Sequence, residues 1–465
     1  KTMTLIKSIS GIRGTIGGQV GENLTPIDAV KFASAYGVWL KQQREKENYK
    51  VVVGRDARIS GKMMQNLVMN TLIGLGIDVV DVSLSTTPTV EVATTLEHAD
   101  GGIILTASHN PKQWNALKLL NEKGEFLDAV EGAKILEIAE SDTMTFADVD
   151  SLGKITKNKA YIDLHIIEVL DLDLVNVKAI ENAKFRVVVD GVNSTGGIAI
   201  PLLLERLGVD VIKLYCEPNG HFPHNPEPLK EHLGDLSEAV KKHKADFGIV
   251  VDPDVDRLAF MDENGDMFGE EYTLVACADY VLSITPGNTV SNMSSTRALR
   301  DVTEKHGGTY EASAVGEVNV VKLMKKNKVV IGGEGNGGII YPKAHYGRDA
   351  LVGVALFLSL LADKNISVSQ LRKTYPNYFM SKKKIELTPG LDVDGILEAM
   401  ENRYQNEQLT TIDGVKIDFA ESWVHLRKSN TEPIIRIYTE AKSQQEADTL
   451  ADKFIEEIGE ITNNL

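Results

Sequence analysis

The sequence predicts an α/β protein built from several helix-covered sheets. Three observations carry that expectation: short β-branched runs that end in loops rich in Gly, Asp or Asn, helical segments between them, and a closing stretch of different texture. The runs are KVVVGRDAR (50–58), FRVVVDGVNSTGG (185–197), FGIVVDPDVDR (247–257) and KVVIGGEGNGG (328–338), while TPIDAVKFASAYGVWLKQQREK (25–46) reads as helix. Continuous apolar strands need cover on both faces, which is what alternating helices supply. The runs are unevenly spaced, so no fixed-period solenoid is expected. In sheets of this kind ligands meet the loops at the carboxyl ends of strands, so each Gly/Asp loop is a candidate site. The polar stretch 141–158 and the lysine-rich 373–387 read as junctions, with a further break placed near 257. From about residue 380 the texture changes to two strands (423–427, 434–441) and a helix (444–459), a small α+β unit.

The 465 residues correspond to about three domains at roughly 150 residues each, with four small ones also allowed. Hydrophobic residues at 43% and charged residues at 25% are the balance of a globular chain and exclude wholesale disorder. With 50 Lys and Arg against 66 Asp and Glu the net charge is −16, which argues against nucleic acid and anionic membrane as partners. Phosphate handling would then need a focused pocket with its own cations. Cys216 and Cys277 form neither a disulfide framework nor a thiolate metal site, so a reducing cytoplasm is expected. The start lacks the apolar stretch of a signal peptide, and runs such as 353–362 are too short to span a bilayer.

Four loops carry candidate chemistry. In GGIILTASHNPKQWNALKLL (101–120) Ser108 follows a strand and precedes His109, Asn110 and Pro111, so its hydroxyl sits on a stiff loop as a nucleophile or, alternatively, as a hydrogen-bonding turn residue. Asp252, Asp254 and Asp256 repel one another at alternate positions, a cost best offset by a hard divalent cation bound through oxygen. A calcium hand loop would need Gly where Arg257 stands, and FGIVV ahead of it reads as strand. An aspartyl-nucleophile phosphatase, with Asp252 attacking and Asp254 as acid/base, remains the competitor, beside a plain solvated acidic turn. GEGNGG (333–338) fits a Gly-x-Gly-x-x-Gly pattern, but Ile339 to Tyr341 continue as strand, so a nicotinamide site is rejected. Its glycines would let Glu334 and Asn336 face a polyhydroxyl ligand, or form a flexible turn. Arg427, Lys428, Ser429, Asn430 and Thr431, with Arg436 nearby, offer the forks, hydroxyls and backbone N–H groups that a phosphate needs, a charged hairpin turn being the alternative. Arg13 in GIRG (11–14) has the same two readings.

Taken together, TASHNP, DPDVDR, a GExxGG loop and RKSNTEP, in that order over nearly the whole chain, resemble the α-D-phosphohexomutase superfamily. The resemblance implies four domains in a heart-like arrangement: three related α/β units, here 1–152, 153–257 and 258–376, and a smaller C-terminal α+β unit, 377–465. It implies that Ser108 carries phosphate in the resting enzyme and, with Asp252, Asp254 and Asp256, holds Mg²⁺. Arg13, His109, Lys118 and Arg257 would surround the moving phosphoryl group. Glu334 and Asn336, together with Gly316, Glu317 and Asn319 of the AVGEVN loop (314–319), would contact the sugar. Arg427, Ser429, Asn430, Thr431 and Arg436 would hold the phosphate that is not being transferred.

The implied reaction interconverts hexose 6-phosphate and 1-phosphate through a hexose 1,6-bisphosphate, in a monomer or homodimer. The TLIKSISGIRGTIGG start with the GEVN and GEGNGG loops resembles chains assigned to phosphoglucosamine, ahead of phosphoglucose and phosphomannose. Many relatives read Gly-Glu-x-Ser-Gly-His where this chain has Asn336 and Gly338, so a histidine considered for proton transfer is missing and its role moves to Lys118 or His109. Lys428 and Asn430 replace a common Pro and Gly, Asn tolerating left-handed backbone and Lys adding charge. A catalytically silent sugar-phosphate binder is the alternative from another class.

Overall fold

The computed structural model describes residues 2–8, 11–141, 143–430 and 432–464. The chain forms two compact units, one running to Tyr280 and including Asn336–Leu371, the other made of Val281–Gly335 and Arg372 onward. Among the described residues no helix is long and apolar enough to cross a membrane.

The first unit holds two sheets. In the larger, the strands lie in the order Ile6–Ser8, Gly11–Thr15, Trp114–Leu120, Gly101–Leu105, Tyr49–Arg55, Ile77–Leu84, Ile155–Lys157. Its apolar strands are covered on both faces, as their composition requires: Val51, Val53, Ile103 and Leu105 pack into one core with Phe32, Tyr36 and Trp39, whereas Val52, Ile104 and Leu120 face a second core with Val90 and Ala93. Helix Pro26–Gln43 opens with Pro26 in its first turn and a Thr25/Asp28 capping box, the start that the sequence spells out. The polar stretch expected as a junction at 141–158 also supplies a strand, since Ile155–Lys157 pairs in parallel with Val79–Asp81.

The second sheet has the order Leu258–Met261, Phe247–Val251, Arg186–Asp190, Asp210–Leu214. Strands 247–251 and 258–261 pair antiparallel with Val251 opposite Leu258, which makes 252–257 a closed hairpin loop and carries the sheet past the break placed near 257. Helix Ala350–Lys364 covers this sheet, its Phe357 stacked on Phe260 at 3.7 Å between ring centroids and edge-on to Phe247 and Phe268.

In the second unit, strands Tyr310–Ser313, Thr289–Asn292 and Ile331–Glu334 run parallel. An antiparallel sheet follows in the order Phe379–Glu386, Ile434–Ala441, Trp423–Lys428, Val415–Asp418, Gln408–Thr410, with helices Val393–Arg403 and Gln444–Asn463 packed on its apolar face. The two strands and final helix expected there are present. The lysine-rich stretch is only in part a connection: Phe379–Glu386 pairs along its whole length with 434–441. Its lysines mark a sheet edge, where charge discourages further pairing.

A buried ionic cluster ties the covering helix to the rest of the first unit. Asp349 caps helix 350–364 through the N–H groups of Leu351 and Val352, and its other oxygen takes bonds from His165 Nε2 (2.7 Å) and His345 Nε2 (2.8 Å). His165 Nδ1 meets Thr89 Oγ1 at 2.8 Å, and His345 Nδ1 lies 3.6 Å from Glu91. Burial alone would lower His345, but Asp349 and Glu91 outweigh it and carry its pKa up to about 10. A raised folded value means that this stabilisation is complete below the unfolded histidine range and fades as pH rises through about 10. We expect the unfolding free energy, from denaturant titrations, to fall between pH 7 and 10 with a contribution to the slope from this histidine of up to about 1.4 kcal/mol per pH unit. His345→Gln should flatten that slope; an unchanged slope would refute the assignment.

Candidate functional site

The Ser108 loop is shaped by an arginine that sequence patterns do not single out. Arg58 is buried, its Nε on Asp56 at 3.1 Å, and its guanidinium donates to the carbonyls of Ser108 (2.7 Å), Asn110 (2.8 Å), Pro111 (2.8 Å) and Trp114 (3.0 Å). Asp56 Oδ2 also accepts from Thr106 Oγ1, which in turn accepts the Ser108 N–H at 3.0 Å. One side chain thus gathers four carbonyls of the loop and its following strand, the Pro111 carbonyl also accepting the Trp114 N–H at 3.1 Å. The same wiring holds Ser108 at φ 52°, a left-handed backbone costing about 1–3 kcal/mol for a residue with a side chain.

That strained serine points at the acidic loop. Ser108 Oγ donates to Asp252 Oδ2 at 3.0 Å, and Asp252 Oδ1 accepts the N–H groups of Asp256 (3.2 Å) and Arg257 (3.1 Å). Ligand atoms of Asp252, Asp254 and Asp256 lie within 4.8 Å of one another, and all three residues are buried. Asp254 Oδ2 takes bonds from Thr87 Oγ1 (2.6 Å) and Lys118 Nζ (3.0 Å), and Asp256 Oδ2 takes one from Arg348 Nη2 (2.6 Å). Asp254 Oδ1 and Asp256 Oδ1, by contrast, are buried with no hydrogen-bond partner. Two orphaned carboxylate oxygens beside a third carboxylate and a hydroxyl are a donor set for a hard, oxygen-seeking divalent cation.

The protonation pattern follows from the same crowding. Burial, then the charges of Asp254 and Asp256, push the Asp252 carboxyl well above the usual range. Burial would raise Asp254 as well, but Lys118 and the hydrogen bonds on it prevail and hold it low.

Four basic residues stand around this centre. Lys118, on strand 114–120, also approaches Asp256 at 3.9 Å, and Arg13, on the paired strand 11–15, donates to Asn110 Oδ1 at 2.7 Å. Arg257 keeps its Nε buried and unbonded. His109 is driven the other way: burial first, then the positive charges of Arg257 and Arg13, bring its pKa down to about 2, so the ring is neutral, with its buried Nδ1 unbonded. The first unit therefore brings together Ser108, His109, Lys118, Arg13, Arg257 and the three aspartates. Arg58, Thr87 and Arg348 complete it without having been anticipated, although Arg58 does end the Gly/Asp run 50–58.

The remaining sugar and phosphate candidates lie in the second unit, apart from Asn336. Glu334 accepts from Asn292 Nδ2 at 3.0 Å. Asn336 accepts the Gly338 N–H on its side-chain oxygen at 3.2 Å. The glycines of this loop answer a different need from the one expected: a Cβ at Gly337 would lie 2.4 Å from the Leu258 carbonyl oxygen, and one at Gly338 2.3 Å from Arg348 Cδ. Gly316 and Glu317 open helix Glu317–Asn327, and exposed Asn319 donates to the Val315 carbonyl at 3.0 Å. Asp413, unnoticed in sequence, joins two of the predicted groups, accepting the Val315 N–H at 2.9 Å and Arg427 Nε at 3.1 Å on both oxygens. Arg427 lies directly opposite exposed Arg436, which in turn is opposite Lys384. Like charges across a ladder repel, and an anion relieves that cost. Ser429 follows in the same turn, its N–H on the Ile434 carbonyl at 3.1 Å; Asn430 is exposed and Thr431 lies outside the described residues.

Comparison with known proteins agrees along the chain. Phosphoglucomutase/phosphomannomutase alpha/beta/alpha domains I, II and III match residues 5–145, 160–265 and 269–378, and the C-terminal domain of that family matches 382–457. The chain is 37% identical over 443 residues to a phosphoglucomutase/phosphomannomutase of Thermococcus kodakarensis, covering 93% of this chain and 95% of the relative. It is 34% identical over 451 residues to a probable phosphoglucosamine mutase of Pyrococcus horikoshii, covering 96% and 95%. A phosphoglucosamine/phosphogalactosamine mutase of Sulfurisphaera tokodaii is 30% identical over 452 residues, covering 95% and 96%. The solved phosphoglucomutase/phosphomannomutase family protein of Burkholderia thailandensis shares the fold, with a TM-score of 0.83 at 24% identity over 97% of this chain and 96% of that one.

The orphaned oxygens generate a direct test. Asp254→Asn should leave the circular dichroism spectrum unchanged and weaken Mn²⁺ binding, read by titration calorimetry, by at least about tenfold, because affinity at such sites follows ligand charge. Undiminished binding would remove Asp254 from the cation site.

Proposed function

The chain belongs to the phosphoglucomutase/phosphomannomutase family, the α-D-phosphohexomutases, and on that premise we propose that Ser108 is the residue that carries the transferred phosphoryl group. The chain is thus an isomerase of hexose phosphates. The observation that supports the serine's role is its hydroxyl, 3.0 Å from Asp252 and held in a costly backbone conformation beside the carboxylate trio. Asp252 is a poor alternative nucleophile, since Oδ1 accepts two backbone N–H groups and Oδ2 takes the Ser108 hydroxyl.

Asp252, Asp254, Asp256 and Ser108 would hold Mg²⁺, which supplies charge neutralisation on the transferring group. Lys118, Arg13 and Arg257 add fixed positive charge around the same group. In the first half-reaction the bond from Ser108 Oγ to phosphorus breaks as one forms from a sugar hydroxyl oxygen. Net, the hydroxyl proton ends on Ser108 Oγ and the sugar becomes a 1,6-bisphosphate. The second half-reaction returns the other phosphate to Ser108. Of the two candidates for moving the proton, Lys118 is engaged by Asp254 and Asp256, which leaves neutral His109 with its free Nδ1. A phosphoryl dianion beside it would oppose the arginine charges that depress its basicity.

For the phosphate not being transferred we assign Arg427, Ser429, Asn430, Thr431 and Arg436, a role supported by the row of cations at Lys384, Arg436 and Arg427. Glu334, Gly316, Glu317 and Asn319 are assigned to the sugar. The relatives named for phosphoglucosamine favour glucosamine phosphate as the preferred substrate, ahead of glucose and mannose phosphates, which differ from it at carbon 2.

Two measurements test this reading. Mass spectrometry should find an acid-stable phosphate on the peptide containing Ser108, and Ser108→Ala should lower turnover of glucosamine 6-phosphate, with bisphosphate present, by at least about a thousandfold, given the inertness of phosphate monoesters. A labile acyl phosphate on Asp252, or near-normal activity of the variant, would refute it. Arg427→Ala should raise KM by about tenfold or more through the lost charge-assisted bond; an unchanged KM would remove Arg427 from the phosphate site.

A further inference from the structure

Segment 336–350 is stitched to the acidic loop at three points. The Leu258 N–H donates to the Gly337 carbonyl at 3.0 Å, the Ala350 N–H donates to the Val255 carbonyl at 3.2 Å, and Arg348 Nη2 donates to Asp256 Oδ2 at 2.6 Å. Arg348 and Asp256 are both buried, at 7% and 1% exposure, so this contact is shielded from water. The backbone beneath Arg348 is fixed as well, because the next residue is Asp349, anchored by His165 and His345 and capping its helix. Along its stem the side chain fills the space over Gly338, where a single added carbon would meet Arg348 Cδ at 2.3 Å and Cγ at 3.0 Å.

From this we infer that Arg348 is a positioning residue of the cation site: its guanidinium holds Oδ2 of Asp256 so that the unbonded Oδ1 is presented to the metal. The inference rests on the cation-binding part of the reading above. Two facts separate it from generic charge balance. The contact is directional, since Arg348 Nη2 donates to Oδ2 of Asp256 at 2.6 Å whereas the charge of Lys118 stands 3.9 Å from that oxygen and fixes no orientation. A carboxylate turns about its last bond unless one oxygen is tied, and Asp256 is tied on the side away from its orphaned oxygen. The glycine at 338 is then the steric condition for Arg348: a side chain there and an arginine in this position exclude each other.

Arg348→Lys keeps the charge and loses the planar fork, so it isolates positioning. We expect it to weaken Mn²⁺ binding to the full-length protein, measured by calorimetry with no sugar present, by about tenfold, as is typical when an outer support of a metal ligand is removed. The metal concentration for half-maximal turnover should rise in parallel while KM for the hexose phosphate stays within about twofold. Gly338→Ala pushes on the Arg348 stem without removing any charged group and should weaken Mn²⁺ binding in the same direction. Wild-type Mn²⁺ affinity in both folded variants would overturn the inference, and so would a KM increase with unaltered metal dependence. Asp254→Asn is the control that separates the two readings: undiminished Mn²⁺ binding in that variant would fail the cation site itself, whereas the Mn²⁺ titrations of Arg348→Lys and Gly338→Ala read positioning without any turnover.

Discussion

Three carboxylates within 4.8 Å of one another, out of water, are the constraint around which the first unit is organised. Left alone they would drive one another to protonation, and Asp252 is indeed pushed upward. The structure offsets that cost unevenly. Lys118 and Thr87 take one oxygen of Asp254 and Arg348 takes one of Asp256, but the other oxygen of each is left unbonded. A site whose only purpose was stability would pair those atoms or replace them with apolar groups. Leaving them bare makes sense where a cation completes the set.

The same crowding fixes what the neighbours can do. Burial, then the charges of Arg257 and Arg13, keep His109 neutral, so it adds no charge to a site already rich in cations. Ser108 is bent into a left-handed conformation, and Arg58 bears that strain by gathering the carbonyls of its loop from beneath. The rigidity is therefore not local: it runs from Asp56 and Arg58 to Ser108, and from the His165–Asp349–His345 cluster to Arg348. Both routes end on the same carboxylates, and a phosphoryl group can be transferred with little reorganisation only where they are held still.

The sequence by itself determined the class, the sheets and the motif residues. Apolar runs such as VVV at 51–53 can be buried on both faces only inside a helix-covered sheet, and Thr25-Pro26 ahead of a run with helical periodicity marks a helix start. The Asp-x-Asp-x-Asp run was legible because its crowding follows from short spacing along one loop, whereas Ser108 was singled out by its place after a strand and by the family resemblance, its contact with Asp252 lying 144 residues away. Arg58, Arg348 and Asp413 could not be read in that way. Each acts on atoms far away in sequence: Arg58 about fifty residues from the Ser108 loop, Arg348 ninety-two from Asp256, Asp413 ninety-eight from Val315. A lone Arg or Asp carries no pattern, and its partner is settled only when strands bring distant loops to one place. The two close glycines of GEGNGG show the same divide: their presence was visible in sequence, but that Gly337 makes room for Leu258 and Gly338 for Arg348 was decided by packing alone.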